Sequence, residues 1–572
     1  MRTTTPILTA ALLATVLSAA TAQTVVKEVG DDDFVAGVDY TLFADTIYQF
    51  GGLVYLEEGA SLTIEPGTVL WFEAGQAADA SALIVTRGAQ IFAEGTADAP
   101  IIMTYEGDNV DDDADLDDPE TTRGSWGGLV ILGRANVSLN DPEEGFDGRF
   151  GQIEGIDPNE PRARYGVDSG DPIDDDDSGV LRYVSVRHAG SVFGSGDEIN
   201  GITLGGVGSG TTIEFVEVFA NLDDGIEFFG GTVDVKNALV SYCGDDSFDY
   251  DLGYRGRGQY WVSLSGTDVV GRAAEWDGAI PDDNTPFAQV TLANATFVGP
   301  GFDTTGIEGD QADFAIVIRD GAGANVYNSV VTNFPLNAVN VEDLETDAGV
   351  DSYQRLVDGD VDFAGNVFGN FGRPDGSIDS LIRFYDGGDD PDGSETIAEF
   401  ADGNAFVGDG ALLASVSGTD FDPRPADGSE LVGNAIQAAL PDTAFFDEVD
   451  YIGAFPADST QLWIKGWTAL DHYGLVADVV SSARSPLVAE ASIALTPNPA
   501  LGGATLTYVL DEDADVRIGL FNVNGQRVSG NAARLAAGPQ RTYVDADGLP
   551  AGTYVVRIVA GGGVAAKTLV VR

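Results

Sequence analysis

Cysteine is almost missing from this 572-residue chain. Cys243 stands alone, which excludes an internal disulfide framework and reads as a small buried thiol. Histidine is nearly as scarce, with His188 and His472 only. His188 has no second histidine nearby and reads as a structural or surface residue. Lysine is confined to Lys27, Lys236, Lys465 and Lys567, and arginine supplies most of the 28 positive charges set against 93 Asp and Glu. The formal net charge is −65 and the sequence pI about 4.1. Such a surface repels phosphates, which argues against nucleic acid and anionic membranes as partners and favours cations. The acidity has two open explanations, screening in a salty medium or binding of calcium. Past the N-terminus no apolar run is long enough to span a bilayer. Zinc spacings, phosphate loops, dinucleotide fingerprints and nucleophile elbows are also missing. Hydrophobic content of 44% is ordinary, so the acid decorates a folded surface.

The ends of the chain carry addresses. Met1-Arg2, the apolar stretch Pro6 to Ala19 and the small residues Ala20-Thr21-Ala22 predict a signal peptide over residues 1–22. At the other end stand Thr496-Pro-Asn-Pro499, the strand-like Val516 to Phe521, a turn at Asn524-Gly525, Gly548 to Ile558, and Lys567 to Arg572. That order resembles the C-terminal sorting domain of type IX secretion cargo. The resemblance implies a small antiparallel β-sandwich, recognition by the type IX machinery, export across the outer membrane, and proteolytic removal of the tail.

Between the ends, short alternating strands are punctuated by Gly and Asp turns, and long helical periodicity is lacking. Val216 to Gly225 matches Ala238 to Ser247 at an offset of 22, so Asp223 maps to Asp245 and Asp224 to Asp246. Asn200-Gly-Ile-Thr203 foreshadows Asp224-Gly-Ile-Glu227. A strand carrying Asn recurs at Asn237, Asn294, Asn328, Asn366 and Asn404. One repeat of this size cannot bury its apolar face alone, but a stack can. The pattern predicts an all-β, right-handed parallel β-helix with coils about 4.8 Å apart. A β-propeller or β-sandwich is the alternative, although a longer period with aromatic signatures is not seen. Leu62 to Thr68, Ala82 to Thr96, Ala99 to Thr104, Gly124 to Gly133, Gly179 to Gly190 and Asp450 to Phe455 fit the same coils. Together these segments resemble secreted, pectin-lyase-like β-helix proteins of Bacteroidota-like bacteria. The expected layout is a passenger over 23–470, a linker over 471–495 and the sorting domain over 496–572.

The candidate chemistry gathers at the Asp corners. Stacked coils would set Asp223, Asp224, Asp245 and Asp246 one strand spacing apart, with Asp249 and Asp251 beyond. This looks similar to the paired Asp of polygalacturonase-type hydrolases, where one carboxyl protonates the leaving oxygen and others activate water. The His-Gly and Arg-x-Lys elements of those enzymes are lacking here. The plainer reading is an Asp corner that turns the chain or binds a cation. Directly after the ladder come Tyr250, Tyr254, Arg255, Arg257, Tyr260 and Trp261, a candidate sugar platform in which Arg pairs a uronate. The plainer role for the two arginines is to neutralise neighbouring Asp. Asp111, Asp113 and Asp115 are candidate calcium ligands. An EF-hand there fails, since Leu116 and Thr122 stand where Gly and Glu are needed. Asp174 to Asp177 and Asp386 to Asp392 read as solvated acidic loops. The favoured function is a secreted or cell-surface protein that binds carbohydrate or adheres, without catalysis. The alternative is a polysaccharide hydrolase or lyase working through Asp223 to Asp251. Calcium is the one cofactor expected, and no organic cofactor is.

Overall fold

The computed structural model describes residues 25–110, 119–141, 146, 148–157, 159–193, 199–269, 271–302, 314–344, 350–372, 381–385, 403–407, 411–426, 429, 431, 436–457, 462–477, 493–510, 514–521, 527–560 and 563–572. The expected signal peptide and most of the expected linker lie outside these residues.

The passenger is a right-handed parallel β-helix with three faces. Face one runs from Asp39–Leu42 through Ser61–Ile64 and Gln90–Glu94 to Val361–Ala364. Face two runs from Val25–Val29 through Thr46–Phe50 to Ala405–Val407. Face three is a ten-stranded parallel sheet from Leu53–Leu56 to Ile382–Tyr385. In mid-solenoid, single strands such as Thr212–Phe219 and Asp234–Ser241 serve faces one and two together. They bend at one residue in the left-handed region, Phe215 at φ 54° and Asn237 at φ 54°. Asn294 and Asn328 take the same bend two and three coils later. Asn tolerates this conformation better than most residues, which explains the recurring Asn of the sequence. At two successive aromatic bends the rings stack, Tyr183 and Phe215 lying 4.6 Å apart and nearly parallel.

The register is the one the repeat implies. Val216 pairs with Ala238, Ile202 with Ile226 and Ile226 with Phe248. Inward positions of face three, including Ile226, Phe228, Phe248, Tyr250 and Trp276, form one core with those of the other faces. Between coils, Ser352–Asp358 forms a helix, capped by Asp351 at its start and ended by left-handed Gly359 (φ 86°).

Asp450 to Phe455 departs from expectation. It is not a coil but part of a strap, residues 436–457 and 462–477, laid over the outside of face two. Ala438 and Asn328 exchange two hydrogen bonds at 2.7 and 3.0 Å, and Asp447 and Gln259 two more at 2.9 and 3.0 Å. Ala454 N–H donates to Thr296 at 2.9 Å. The outer face of these coils is itself apolar, with Phe219, Leu239, Val262, Val298 and Val330 buried under Ile452, Phe455 and Ile464. A strap matching such a surface needs the same alternation as a coil strand, which is why the two look alike in sequence. The strap ends in a short helix, Ala469–His472, whose first N–H groups bond the buried Glu217 carboxylate at 2.6 and 3.1 Å. Packing continues to Leu475 and Val476, past the expected boundary at 470.

The tail is a sandwich of a three-stranded and a four-stranded antiparallel sheet. Leu506, Tyr508, Val556, Ile558 and Leu569 fill it. Asn498 of the Thr-Pro-Asn-Pro motif bonds the backbone of the last strand at Thr568 and Val570, at 2.7 and 2.9 Å. Among the described residues no helix is long and apolar enough to cross a membrane.

Candidate functional site

Alternation along a strand sends every second residue outward. On face three the register therefore lines up Thr203, Glu227, Asp249 and Glu275 in one outward row. The Asp corners lead straight into these strands. Asp246 N–H donates to Asp224 Oδ1 at 2.9 Å, so the two corners stack as the repeat requires. Row and corner meet in a cavity of about 440 Å³, lined by Asp223, Asp224, Glu227, Asp245, Asp249 and Glu275 and walled by Ile153 and Glu154.

Two carboxylate triads form there. Asp223, Asp224 and Asp245 present oxygens within 4.8 Å of one another, and so do Asp224, Glu227 and Asp249. Asp224 belongs to both. Two neutral oxygens join them: Thr203 Oγ1 and Asn200 Oδ1 are buried without a hydrogen-bond partner, as is Asp249 Oδ1. An all-oxygen set of this kind is able to hold a hard divalent cation. Burial, then repulsion from Asp249 and Asp223, drives Asp224 well above the usual carboxylate range. Burial followed by Asp224 does the same to Glu227, and burial followed by Glu227 to Asp249.

The downstream end of the row is neutralised from within. Arg272 bonds Glu275 at 2.5 Å and Asp246 at 3.3 Å. Arg319 reaches Glu275 at 2.8 Å and Asp277 at 2.7 Å. Burial raises Glu275, but its hydrogen bond with Asp246 and the two guanidinium groups outweigh burial and hold it below the usual range. Burial pushes Asp277 up to about 7.

Of the four ladder residues, Asp223, Asp224 and Asp245 line the cavity, while fully buried Asp246 is taken up by Arg272. Glu227, Asp249, Glu275, Thr203 and Asn200 complete the site. Their signal was the match of Asn200-Gly-Ile-Thr203 with Asp224-Gly-Ile-Glu227, had it been continued to Asp249 and Glu275.

The aromatic platform is corrected. Tyr250, Tyr254, Tyr260 and Trp261 are buried and offer no open ring face. Tyr254 stacks on Phe228 at 4.3 Å and Trp261 on Phe248 at 4.6 Å, inside the coils. The Tyr250 and Tyr254 hydroxyls bond the Gly323 and Val233 carbonyls at 2.6 and 2.9 Å. Arg255 pairs with Asp174 at 2.8 Å, and Arg257 with Asp234 at 2.5 Å and with Asp442. Both arginines thus neutralise neighbouring Asp. Asp174 and Asp176 are not merely solvated, since they accept the Asn136 and Arg134 N–H groups at 3.0 and 3.2 Å. His188 is buried and donates to the Thr122 carbonyl at 2.6 Å. Burial pushes the Cys243 thiol up to about 12. Asp111, Asp113, Asp115 and the Asp386 to Asp392 loop lie outside the described residues.

Comparisons with known proteins agree with this architecture. The family described as a pectate-lyase-like β-helix domain matches residues 35–373, more than half of the chain. The secretion-system C-terminal sorting domain matches residues 494–572. No curated protein matches the chain. Among solved structures, the enzymatically active domain of tailspike protein 4 from bacteriophage CBA120 aligns over 93% of this chain and 61% of its own, at 8% identity and a TM-score of 0.21. The chain thus spans less than two thirds of that structure, and a likeness so distant bears no weight for the site. The two family matches decide the matter: the chain belongs to the pectate-lyase-like β-helix family, and its type IX sorting tail directs it across the outer membrane to the cell surface or the medium.

Proposed function

We propose that the protein is a non-catalytic, carbohydrate-binding β-helix whose acidic cavity works through calcium. The observation that carries this reading is the sharing of Asp224 between two carboxylate triads, with unpartnered Thr203 and Asn200 oxygens beside them. Asp223, Asp224, Glu227, Asp245 and Asp249 would hold the ion. A bound calcium would keep these groups ionised and offer open coordination positions to sugar hydroxyls or carboxylates. Without the ion the same surface would repel an acidic polymer. Catalysis of the lyase kind is disfavoured because Arg272 and Arg319, beside these carboxylates, are each bonded to Glu275.

One observation favours the hydrolase alternative. Glu275 is held below, and neighbouring Asp249 above, the ordinary range, and such divergence suits an acid and a base.

The test is retention of the mature chain in gels containing a panel of acidic and neutral polysaccharides, in calcium and in EDTA. Reducing ends and unsaturated-product absorbance are scored in parallel. Calcium-dependent retention that disappears in Asp224→Asn/Asp249→Asn, without turnover, is expected. Turnover abolished by the same variant would make the protein an enzyme. Neither signal would leave adhesion without a sugar ligand.

A further inference from the structure

A second cavity, of about 690 Å³, is walled by the same insertion that walls the acidic one. The insertion follows Leu129–Leu132 and carries the antiparallel pair Phe150–Gln152 and Arg164–Gly166. Ile153, Ile156, Ala163 and Tyr165 seat it on the apolar outside of face three, where Tyr165 stacks on Phe229 at 5.6 Å. Ile153 and Glu154 border the acidic cavity, whereas residues between 161 and 173 border this one. Most of the remaining lining is the turn that leaves face three in the first three coils. It supplies Glu57 and Glu58, then Arg87, then Arg134.

The arginines of this cleft are held in place by the fold. Arg87 donates to the Gly166 carbonyl at 3.0 Å and to Asp168 at 2.7 Å, and its side chain is largely buried. Arg162 lies over the Tyr55 ring at 4.0 Å and pairs with Asp31 at 3.1 Å. Arg134 bonds Glu58 and sits against Gly88 of the preceding coil. Gly88 is left-handed (φ 78°), and a Cβ there would stand 2.6 Å from Arg134 Nη2. The bare backbone at Gly88 is thus what makes room for this guanidinium. Among the described residues the Arg134 guanidinium bonds only through Nη2, and the exposed side chains of Ser169 and Asp171 make no bond.

Charge points to the kind of ligand. Three guanidinium groups, of Arg87, Arg134 and Arg162, stand here against four carboxylates, of Glu57, Glu58, Asp168 and Asp171. The lining is close to balance in a chain whose acids outnumber its Lys and Arg 93 to 28. An anion would meet the carboxylates and a cation the guanidiniums, and either would have to disrupt ion pairs to bind. A neutral polyol disrupts none. Each hydroxyl both donates and accepts, so it gives a bond to a carboxylate while taking one from the neighbouring guanidinium. Pro161, Val167 and Ile173 add apolar edges for the C–H side of a sugar ring. The volume is that of a small-molecule site.

We infer that this cleft is a second, calcium-independent binding site and that its ligand is a neutral oligosaccharide. Arg134, with guanidinium nitrogens to spare, and unbonded Asp171 are the side chains that contact the sugar. The cleft shares no lining residue with the acidic cavity, and none of its residues belongs to the carboxylate groups able to hold a metal ion. Either site can therefore be lost without the other.

The test is calorimetric titration of the full chain, in EDTA, with cellohexaose, mannohexaose, xylohexaose and hexagalacturonate. At least one neutral sugar is expected to bind, and more tightly than hexagalacturonate. Arg134→Gln and Asp171→Ala should each weaken that binding about tenfold, the loss of one charge-assisted hydrogen bond. Both variants should melt like the parent, since Asp171 is unbonded and the Glu58 partner of Arg134 is exposed. Asp224→Asn/Asp249→Asn should bind as the parent does. No binding of any neutral sugar, tighter binding of hexagalacturonate, or binding that both cleft variants leave unchanged would overturn the assignment. A loss confined to variants that melt early would overturn it as well. Loss in Asp224→Asn/Asp249→Asn would move the sugar to the acidic cavity and overturn it too.

Discussion

The two ends of the acidic row on face three solve one electrostatic problem differently. Glu227, Asp249 and Glu275 occupy successive coils at the same outward position. At the downstream end the charge is met by arginines of the chain itself, Arg272 and Arg319. At the upstream end Asp223, Asp224, Glu227, Asp245 and Asp249 crowd one cavity, which Glu275 and Arg319 also line. A solenoid repeats its spacing whatever the side chains are. Stacked carboxylates must then be discharged by protons, by internal cations or by ions from the medium. The downstream end shows the internal solution, and the upstream end has the oxygen geometry of the external one.

Breaking the internal solution should have the largest effect. Arg272→Ala would take the inner guanidinium away from buried Glu275, the group held below the usual range, and from the Asp246 bonded to it. A loss of about 3–5 kcal/mol in urea unfolding is expected for an uncompensated buried charge. A loss below about 1 kcal/mol would mean that the two ends do not differ.

The contrast can next be sharpened with pH. Asp277, raised to about 7, keeps its proton in the folded state after the unfolded chain has released it. Stability therefore falls as pH rises from the ordinary carboxylate range towards 7, by up to about 1.4 kcal/mol per unit for each such proton. Asp224, Glu227 and Asp249 act with the same sign, and Glu275 with the opposite one, its contribution being lost as pH falls through its lowered pKa. In EDTA, melts should show this decline, and calcium should flatten it because the ion competes with protons for the upstream groups. Identical slopes with and without calcium, or rescue by NaCl alone, would remove the external solution.

The smallest effect is expected at Arg255, whose partner Asp174 is 54% exposed. Arg255→Ala should cost about 0–1 kcal/mol and leave polysaccharide retention unchanged. Lost retention would return this arginine to the binding surface.

Much of this was legible in the sequence, for a physical reason. A stacked coil writes its register into the chain as a fixed offset, so the sequence itself pairs Val216 with Ala238 and Asp224 with Asp246. The bend asparagines were visible because few residues accept a left-handed φ. Two things were not legible. Inward and outward aromatics have the same composition, so Tyr250 and Trp261 passed for a platform while serving as core. The strap shares the alternation of a coil, and only its long-range bonds to Asn328 and Gln259 distinguish it.

The strap also imposes an order of events. Its Ala469 and Leu470 N–H groups close on Glu217, residues separated by 252 and 253 positions in sequence. Coils can zip up from local contacts as they appear, but contacts of that reach form late. Until residues 436–477 arrive, the apolar outside of face two stays uncovered, with Phe219, Val262 and Val330 open to water. The last portion of the passenger to be synthesised is thus the one that seals it, so a chain cut short before the strap would be a sticky, half-dressed solenoid even with every coil in place.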